Sequence, residues 1–255
     1  MSGYVEMGRV IHNTQIGSDV WKMSVYAPKQ AKEAQLGQFC NVRVTGGTAP
    51  LLRRPISYAG FDAKAGTIDL LYRVVGKGTE LMTKLQEGDT LDCLGPLGQA
   101  FTTADRMLLV GGGVGIAPML CIADRLQPGQ EAHVILGFRN ASESFWADLF
   151  KDSPVTVHIT TDDGSLGTKG YPTTVMETLM KEEQFDAVLT CGPTPMMKGV
   201  AAVAQQMNVP CQVSLEERMG CGTGGCVGCA CQGKSGTRYK VCKDGPVFPA
   251  EEVFF

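Results

Sequence analysis

Apolar and polar positions alternate over short, evenly spaced runs in the first hundred residues, and Gly, Pro and Asp turns separate these runs. The pattern predicts β-strands over residues 8–16, 20–27, 37–44, 55–62, 67–75 and 90–94, which are typical of a small closed barrel. Residues 79–85 interrupt the strands with the apolar spacing of a short helix, for which Thr79 is the predicted cap.

The pattern changes from about residue 104, where strand-like apolar runs begin to alternate with helical segments. Predicted strands at 107–110, 134–138, 155–160 and 187–190 are followed by helices ending near 126, 150, 180 and 207. This alternation predicts a parallel sheet covered by helices on both faces. The predicted fold is therefore a β plus α/β protein, with a six-stranded antiparallel barrel at 1–103, a parallel-sheet domain at 104–212 and a cysteine module at 213–255.

The cysteine module carries the most specific pattern in the chain. Cys221, Cys226 and Cys229 are spaced C-x4-C-x2-C, and Cys242 follows a short polar hairpin-like segment. This is the plant-type spacing for a 2Fe-2S cluster, and the glycines between the thiols allow the backbone to approach the inorganic sulfides. A structural zinc site would favour paired C-x2-C knuckles. We interpret Cys231 as a small packed thiol rather than a ligand.

Composition restricts the function classes further. The 255 residues are 44% hydrophobic and 19% charged, as in globular proteins with a sizeable core. A net charge of −3 gives no reason to expect nucleic acid or an anionic membrane as a partner, and no apolar run is long enough to span a bilayer. Ten cysteines without a recognisable export signal predict the reducing cytoplasm rather than a disulfide framework.

Three barrel segments are candidates for ligand binding. The run Arg54-Pro55-Ile56-Ser57 offers a guanidinium fork for a phosphate and a hydroxyl for a flavin ring. Leu71-Tyr72-Arg73 ends a strand, and Gly78-Thr79 opens the short helix, where a glycine turn is suited to an anion. A strand-to-helix turn with an ordinary threonine cap would have the same sequence.

The second domain contains two candidate nucleotide-binding turns. Gly111-Gly112-Gly113-Val114-Gly115 follows a strand and opens a helix, and Cys191-Gly192-Pro193 lies at the carboxyl end of a later strand, where open α/β sheets bind ligands. Ligand-free turns are the alternative at both places. Asp162 follows the third strand, where a carboxylate accepts from a ribose 2′-hydroxyl and repels a 2′-phosphate, so NADH is the expected nucleotide, although Arg139 is a nearby base.

In order, these motifs resemble the ferredoxin–NADP(H) reductase superfamily over about residues 1–212. With the cysteine module and the stretch at 161–170, the chain is similar, nearly end to end, to electron-transfer subunits of bacterial dihydroorotate dehydrogenase B. Related sulfide dehydrogenase and NADP-transhydrogenase subunits have a pattern similar to D-G-T-G-x-C at the first ligand position. This chain has Cys221-Gly-Thr-Gly there, which favours the dihydroorotate dehydrogenase B family. The alternative function is a ferredoxin–NAD(P)H oxidoreductase or a sulfide dehydrogenase subunit.

The resemblance implies FAD contacts at Arg54–Ser57, Leu71–Arg73 and Gly78–Thr79, an NAD-binding domain, and cluster ligation by Cys221, Cys226, Cys229 and Cys242. Ser57 and Cys191 are expected at the reacting ends of flavin and nicotinamide. Electrons would pass from the FMN of a dihydroorotate-oxidising partner through the cluster and FAD to NAD+, in pyrimidine (UMP) biosynthesis, within a heterotetramer of two copies of each subunit. No catalytic triad or carboxylate pair is evident, and His12, His133 and His158 are interpreted as structural strand residues.

Overall fold

The computed structural model describes residues 3–44 and 47–254. Its contacts divide the chain into two compact units, each of which consists of three segments that are not contiguous in the sequence. The first comprises Met1–Ala100, Glu216–Cys231 and Arg238–Pro246, and the second comprises Phe101–Leu215, Gln232–Thr237 and Val247–Phe255. The cysteine stretch therefore shares a unit with the barrel, although it follows the α/β domain in the sequence.

The first unit contains the predicted six-stranded antiparallel barrel. Its strands close in the order β1-β2-β5-β4-β3-β6, and alternate side chains fill the interior. The strands are β1 (Tyr4–Gln15), β2 (Val20–Tyr26), β3 (Phe39–Arg43), β4 (Arg54–Asp62), β5 (Thr67–Arg73) and β6 (Thr90–Leu97). The predicted short helix is α2 (Lys77–Met82), which begins two residues before the predicted start.

A second short helix in this unit, α1 (Pro28–Glu33), was not predicted. It carries Gln30, a fully buried polar side chain that donates from Nε2 to the carbonyl of Cys93 (2.8 Å) and accepts from the Tyr58 hydroxyl (2.8 Å). Six mostly polar residues have no apolar periodicity to indicate a helix. The tertiary hydrogen bonds of Gln30 stabilise this segment, and no local pattern encodes them.

The second unit is built on a seven-stranded sheet in the order β10-β9-β8-β7-β11-β12-β15. The strands are parallel except for β15, which pairs antiparallel with β12. They are β7 (Arg106–Gly112), β8 (Glu131–Phe138), β9 (Thr156–Thr161), β10 (Thr168–Lys169), β11 (Ala187–Cys191), β12 (Cys211–Ser214) and β15 (Val247–Pro249). A separate two-stranded sheet of β13 (Ala230–Gln232) and β14 (Arg238–Lys240) contains Cys231 and precedes Cys242.

Helices follow the parallel strands as the alternation predicted. They are α3 (Ile116–Ala123), α4 (Pro172–Glu182) and α5 (Thr194–Gln206), with 3-10 helices at Gly113–Gly115, Ala141–Phe150 and Lys234–Gly236. The short helix α6 (Ala250–Val253), which follows the antiparallel strand β15, was not predicted. The helix predicted near 143–150 is thus a 3-10 helix, which buries Trp146 and Phe150. Among the described residues, no helix is both long and apolar enough to cross a membrane.

The C-terminal segment contributes to the core of the second unit. Val247 and Phe248 are 7% and 3% exposed because β15 extends the sheet. Phe254 lies beside Lys198, whose Nζ is 5.7 Å from the ring centroid, and Phe255 lies outside the described residues. Packing within the chain accounts for Val247 and Phe248.

Candidate cofactor sites

The four predicted ligands converge in one loop of the first unit. The Sγ atoms of Cys221 and Cys226 interact with each other, as do those of Cys229 and Cys242, and Cys242 also interacts electrostatically with Cys221. No three described Cys, His, Asp or Glu side chains are grouped closely enough for a single metal ion. The contacts form two pairs, and two thiolates for each iron is the arrangement of a 2Fe-2S cluster.

Backbone N–H groups surround the sulfurs. Cys221 Sγ accepts from the N–H groups of Thr223 (3.3 Å), Gly225 (3.3 Å) and Cys226 (3.4 Å). Cys242 Sγ accepts from the N–H of Gly224 (3.2 Å). Such donors stabilise negative charge on thiolates and on a reduced cluster, so the donor set fits an iron–sulfur centre.

The two ends of the ligand set differ electrostatically. Burial acts to raise the pKa of Cys221, but hydrogen bonds from Thr223 and Cys226 outweigh it and lower that pKa to about 6. Burial, followed by the hydrogen bond and charge of Cys229, raises the pKa of Cys242 to about 12. Cys229 and Cys242 are both 2% exposed, so this pair lies on the inner side of the loop, whereas Cys226 is exposed.

The cluster loop is anchored on the barrel within the same unit. Gln99, just after β6, donates from its backbone N to Gly245 (2.6 Å) and from Nε2 to the carbonyl of Lys243 (3.0 Å). Lys240 Nζ donates to the carbonyl of Gly224 (3.0 Å), which secures the loop from the hairpin side. The loop and the barrel strands therefore form one packed body.

The two adjacent arginines before the Pro-Ile-Ser run have different environments. Arg53 forms a bidentate ion pair with Asp92 (2.8 and 2.9 Å) and donates to the carbonyl of Asn41 (3.2 Å), so its guanidinium is occupied in the barrel wall. The guanidinium of Arg54 lies over Gly78 so closely that a Cβ there would overlap it. Arg54 and Gly78, from separate predicted flavin segments, are thus brought together.

Thr79 acts within its turn in a way that differs from the predicted cap. Gly76 is the N-cap of α2, and the Oγ1 of Thr79 accepts from the N–H groups of Val75 (3.0 Å) and Gly76 (3.3 Å). The hydroxyl also donates to the carbonyl of Gly76 (3.0 Å). Thr79 therefore fixes the glycine turn from inside.

The Leu71–Arg73 segment is held by contacts that the sequence did not predict. Tyr72 is buried, and its hydroxyl donates to Oδ1 of Asn13 (2.9 Å), whose Nδ2 donates to the carbonyls of Met82 and Leu85. Burial raises the pKa of Tyr72. Arg73 Nε lies 3.2 Å from Asp19 Oδ2. Leu71 and Tyr72 contribute to the barrel wall, and Asn13 carries no sequence signal for its bridging role.

In the second unit, the glycine-rich turn meets the end of β11. Cys191 pairs with Gly111 across neighbouring strands, and a Cβ on Gly115 would overlap the backbone of Cys191. A Cβ on Gly112 would lie 2.8 Å from the sulfur of Met196 and 3.2 Å from Cδ of Pro193. Both predicted nucleotide turns thus meet at the carboxyl edge of the sheet, where such sheets bind dinucleotides.

The loop after β9 presents Asp162 at the same edge. Its backbone N donates to the carbonyl of Phe138 (3.1 Å), and its side chain is exposed. The neighbouring Asp163 accepts from the hydroxyl and N–H of Ser165 (2.6 and 2.9 Å), and these bonds lower its pKa. Asp163 therefore orders the turn, and the ribose contact of Asp162 stays a prediction. The backbone N of Arg139 donates to Glu143 (3.3 Å).

Three family models match the chain. They are an oxidoreductase FAD-binding domain over residues 7–101, an oxidoreductase NAD-binding domain over 109–202, and the iron–sulfur cluster binding domain of dihydroorotate dehydrogenase B over 216–254. The dihydroorotate dehydrogenase B (NAD(+)) electron transfer subunit of Caldanaerobacter subterraneus subsp. tengcongensis is 42% identical over 97% of both chains. That of Fusobacterium nucleatum is 38% identical over 98% of both.

The chain belongs to the family of dihydroorotate dehydrogenase B electron transfer subunits. Membership confirms the predicted family, and the matched models confirm FAD, NAD and an iron–sulfur cluster as the cofactor set. Each matched model lies within one of the three predicted domains, whereas the exact domain boundaries and the individual site residues stay predictions.

A solved structure extends the comparison beyond this family. A chain of an NADH-dependent reduced ferredoxin–NADP oxidoreductase, described in relation to flavin-based electron bifurcation, is 34% identical with a TM-score of 0.84, and the match covers 97% of this chain and 90% of that one. A ferredoxin NADP+ reductase from Neisseria gonorrhoeae, 17% identical with a TM-score of 0.64, shares the fold. Electron transfer subunits of dihydroorotate dehydrogenase B therefore share their layout with other flavin-dependent oxidoreductases.

Proposed function

We propose that this chain transfers electrons from a dihydroorotate-oxidising partner subunit to NAD+. The net reaction is dihydroorotate + NAD+ → orotate + NADH + H+, and the chain performs its electron-transfer half. The observation that carries the proposal is the packing of a four-cysteine loop on a flavin-type barrel in one compact unit, together with an NAD-type sheet in the other. Bound FAD would supply the conversion between single electrons and a hydride.

The residues of the chain serve to hold and orient these groups. We propose that Cys221, Cys226, Cys229 and Cys242 ligate the cluster. Arg54 is proposed to bind a flavin phosphate beside the Gly78 turn, and Ser57 to contact the flavin ring. In the other unit, Cys191 and the glycine turn are proposed to receive the nicotinamide and pyrophosphate. Support comes from the two sulfur pairs, from the close approach of Arg54 to Gly78, and from the junction of Gly115 with Cys191.

Oxidation of dihydroorotate requires a general base beside a flavin, because a proton and a hydride leave adjacent carbons. We propose that this base and an FMN belong to a separate catalytic subunit, which assembles with this chain in the cytoplasm as a heterotetramer of two copies of each. The names of the curated relatives, electron transfer subunits, support a division of labour between subunits.

Reconstitution tests the proposal. The isolated chain, loaded with FAD and cluster, is expected to reduce artificial acceptors with NADH and to leave dihydroorotate unchanged. Addition of the FMN subunit is expected to restore NAD+-linked orotate formation in a complex that survives gel filtration, and the mass of that complex gives its stoichiometry. Oxidation of dihydroorotate by this chain alone would contradict the assignment.

Reduction of ferredoxin without a partner subunit separates this function from the second candidate, a ferredoxin–NAD(P)H oxidoreductase, which the 34% identical, NADH-dependent structural relative favours. Because the exposed carboxylate of Asp162 is proposed to accept from the ribose 2′-hydroxyl and would repel a 2′-phosphate, we expect a higher kcat/KM for NADH than for NADPH in dye reduction. Asp162→Asn is expected to narrow the difference. Equal specificity constants for the two nucleotides would contradict the proposed role of Asp162, and rapid reduction of ferredoxin without a partner subunit would favour the second candidate.

A further inference from the structure

Asn41 is a buried polar residue that is not among the residues proposed to contact a cofactor. It lies in β3, where its neighbours Cys40 and Val42 point into the barrel core and are fully buried. Because successive side chains of a strand point to opposite faces, Asn41 points away from that core. It is nevertheless 0% exposed, so another part of the first unit covers it.

The covering segment is the cluster loop. An ideal Cβ on Gly222 would overlap Nδ2 of Asn41 and would lie 3.3 Å from its Cγ and 3.4 Å from Cδ1 of Leu97. Gly222 has a φ of +75°, is buried, and directly follows Cys221. The carboxamide of Asn41 therefore lies directly beneath the loop that carries the first ligand, and only a glycine at 222 allows this approach.

The carboxamide also retains its full hydrogen-bonding capacity. Among the described residues, neither Nδ2 nor Oδ1 of Asn41 has a hydrogen-bond partner, although both atoms are buried. A buried amide without partners costs free energy, so its retention needs a compensating interaction. The backbone of Asn41 is fixed independently, since its carbonyl accepts from Arg53 and its register partner is Pro55 of the proposed flavin segment.

We propose that Asn41 is a positioning residue for the iron–sulfur loop, which presents its carboxamide dipole to the Cys221–Gly222 backbone and thereby tunes the reduction potential of the cluster. The inference rests on the proposed ligation of a 2Fe-2S cluster by this loop. Hydrogen-bond donors and dipoles near the sulfurs stabilise the reduced, more negative cluster. Asn41 also links the cluster loop to the strand beside Arg54-Pro55-Ile56-Ser57.

The test compares two asparagines of the same barrel. Asn41→Leu keeps the approximate size of the side chain and removes its dipole, and we expect a more negative midpoint potential and changed EPR g values for the reduced cluster, with FAD content retained. Asn13→Leu is the matched control, because the side chain of Asn13 is hydrogen-bonded to Tyr72, Met82 and Leu85, and these partners belong to the barrel rather than to the cluster loop. It is expected to lower thermal stability without shifting the potential.

A wild-type potential, EPR spectrum and rate of iron loss in Asn41→Leu would overturn the inference. Loss of iron from Asn41→Leu with FAD retained, and not from Asn13→Leu, would support it through loop positioning. Absence of a cluster from the wild-type protein would instead refute the proposed function, so the two failures are distinguishable.

A double-mutant cycle covers the case in which Asn41→Leu does not fold. Gly222→Ala is expected to lose iron to a chelator several-fold faster than wild type, since its Cβ would displace Asn41. Asn41→Ala/Gly222→Ala is expected to recover part of that loss, because the shorter side chain makes room for the methyl group. Equal rates of iron loss in Gly222→Ala and the double variant would show that this contact does not position the loop.

Discussion

Replacement of Arg54 by alanine tests the flavin site most directly. The Arg54 guanidinium lies against Gly78, and its Nη1 donates to the carbonyl of Leu52, so it is held at the glycine turn while remaining half-buried rather than enclosed. A hydrogen bond to a charged group contributes roughly 1.5–3 kcal/mol. Loss of one such phosphate contact therefore corresponds to a roughly 10- to 100-fold weaker FAD affinity. Titration of apoprotein with FAD, followed by flavin fluorescence, measures the change.

The neighbouring arginine provides a matched control. Arg53 is paired with Asp92 in two hydrogen bonds, and both side chains are 19% exposed. Arg53→Ala would leave a largely buried carboxylate without its partner, which costs roughly 1–3 kcal/mol of the free energy of unfolding. We expect a lower Tm for Arg53→Ala with little change in FAD affinity, and the reverse for Arg54→Ala.

Gly78→Ala extends the same reasoning. Its methyl group would displace the guanidinium of Arg54, so this variant is expected to weaken FAD binding, and the double variant is expected to be little worse than Arg54→Ala alone. Wild-type FAD affinity in Arg54→Ala would refute the assignment. Equal losses of affinity in Arg53→Ala and Arg54→Ala, at equal folded fractions, would also refute it.

Three further predictions concern the other sites. Gly115→Ala is expected to weaken NADH binding in a fluorescence titration because its Cβ would overlap the Cys191 backbone. Gly129→Ala, where a Cβ meets open space, is expected to leave NADH affinity unchanged, and equal affinities of the two variants would contradict the prediction. Cys226→Ala is expected to lose the visible absorbance of the cluster and its iron, and Cys231→Ala to keep both, with the opposite result refuting the ligand set. Burial, and then the charge of His133, lowers the pKa of His158. The unfolded state therefore binds more protons than the folded state, and the free energy of unfolding should fall as pH drops below about 6.5. His158→Gln should flatten that dependence in urea titrations, and an unchanged slope would count against it.

The elements that the sequence predicts well are those with local causes. The barrel strands follow from two-residue alternation between turns, and the strand–glycine–helix unit at Gly111–Gly115 follows from the change in period. The cysteine spacing predicts a cluster because the loop itself supplies three of the four ligands and most of their N–H donors. These features depend on neighbours within a few residues, which a single sequence displays.

The elements that the sequence does not reveal depend on contacts far apart in the chain. Gln30 is hydrogen-bonded to Cys93 and Tyr58. Asn13 is hydrogen-bonded to Tyr72, Met82 and Leu85, and the partners in these bonds lie up to 72 residues apart in the sequence. Asn41 is covered by a glycine that lies about 180 positions further along the chain, and no local propensity reflects a contact over that separation. Likewise, Val247 and Phe248 look like an apolar tail until β15 pairs with β12.

The order of the chain and the grouping of its segments have different consequences for electron transfer. In sequence, the cysteine stretch follows the NAD-type domain rather than the barrel. In the structure, residues 216–231 and 238–246 return to the barrel unit, where Gln99 bonds to Gly245 and Asn41 lies under Gly222. A cluster that exchanges single electrons needs a flavin as its immediate neighbour, because nicotinamide accepts only a hydride. The return of the chain to the barrel therefore places the one-electron carrier with the group that can convert its electrons, and leaves the hydride acceptor to the other unit.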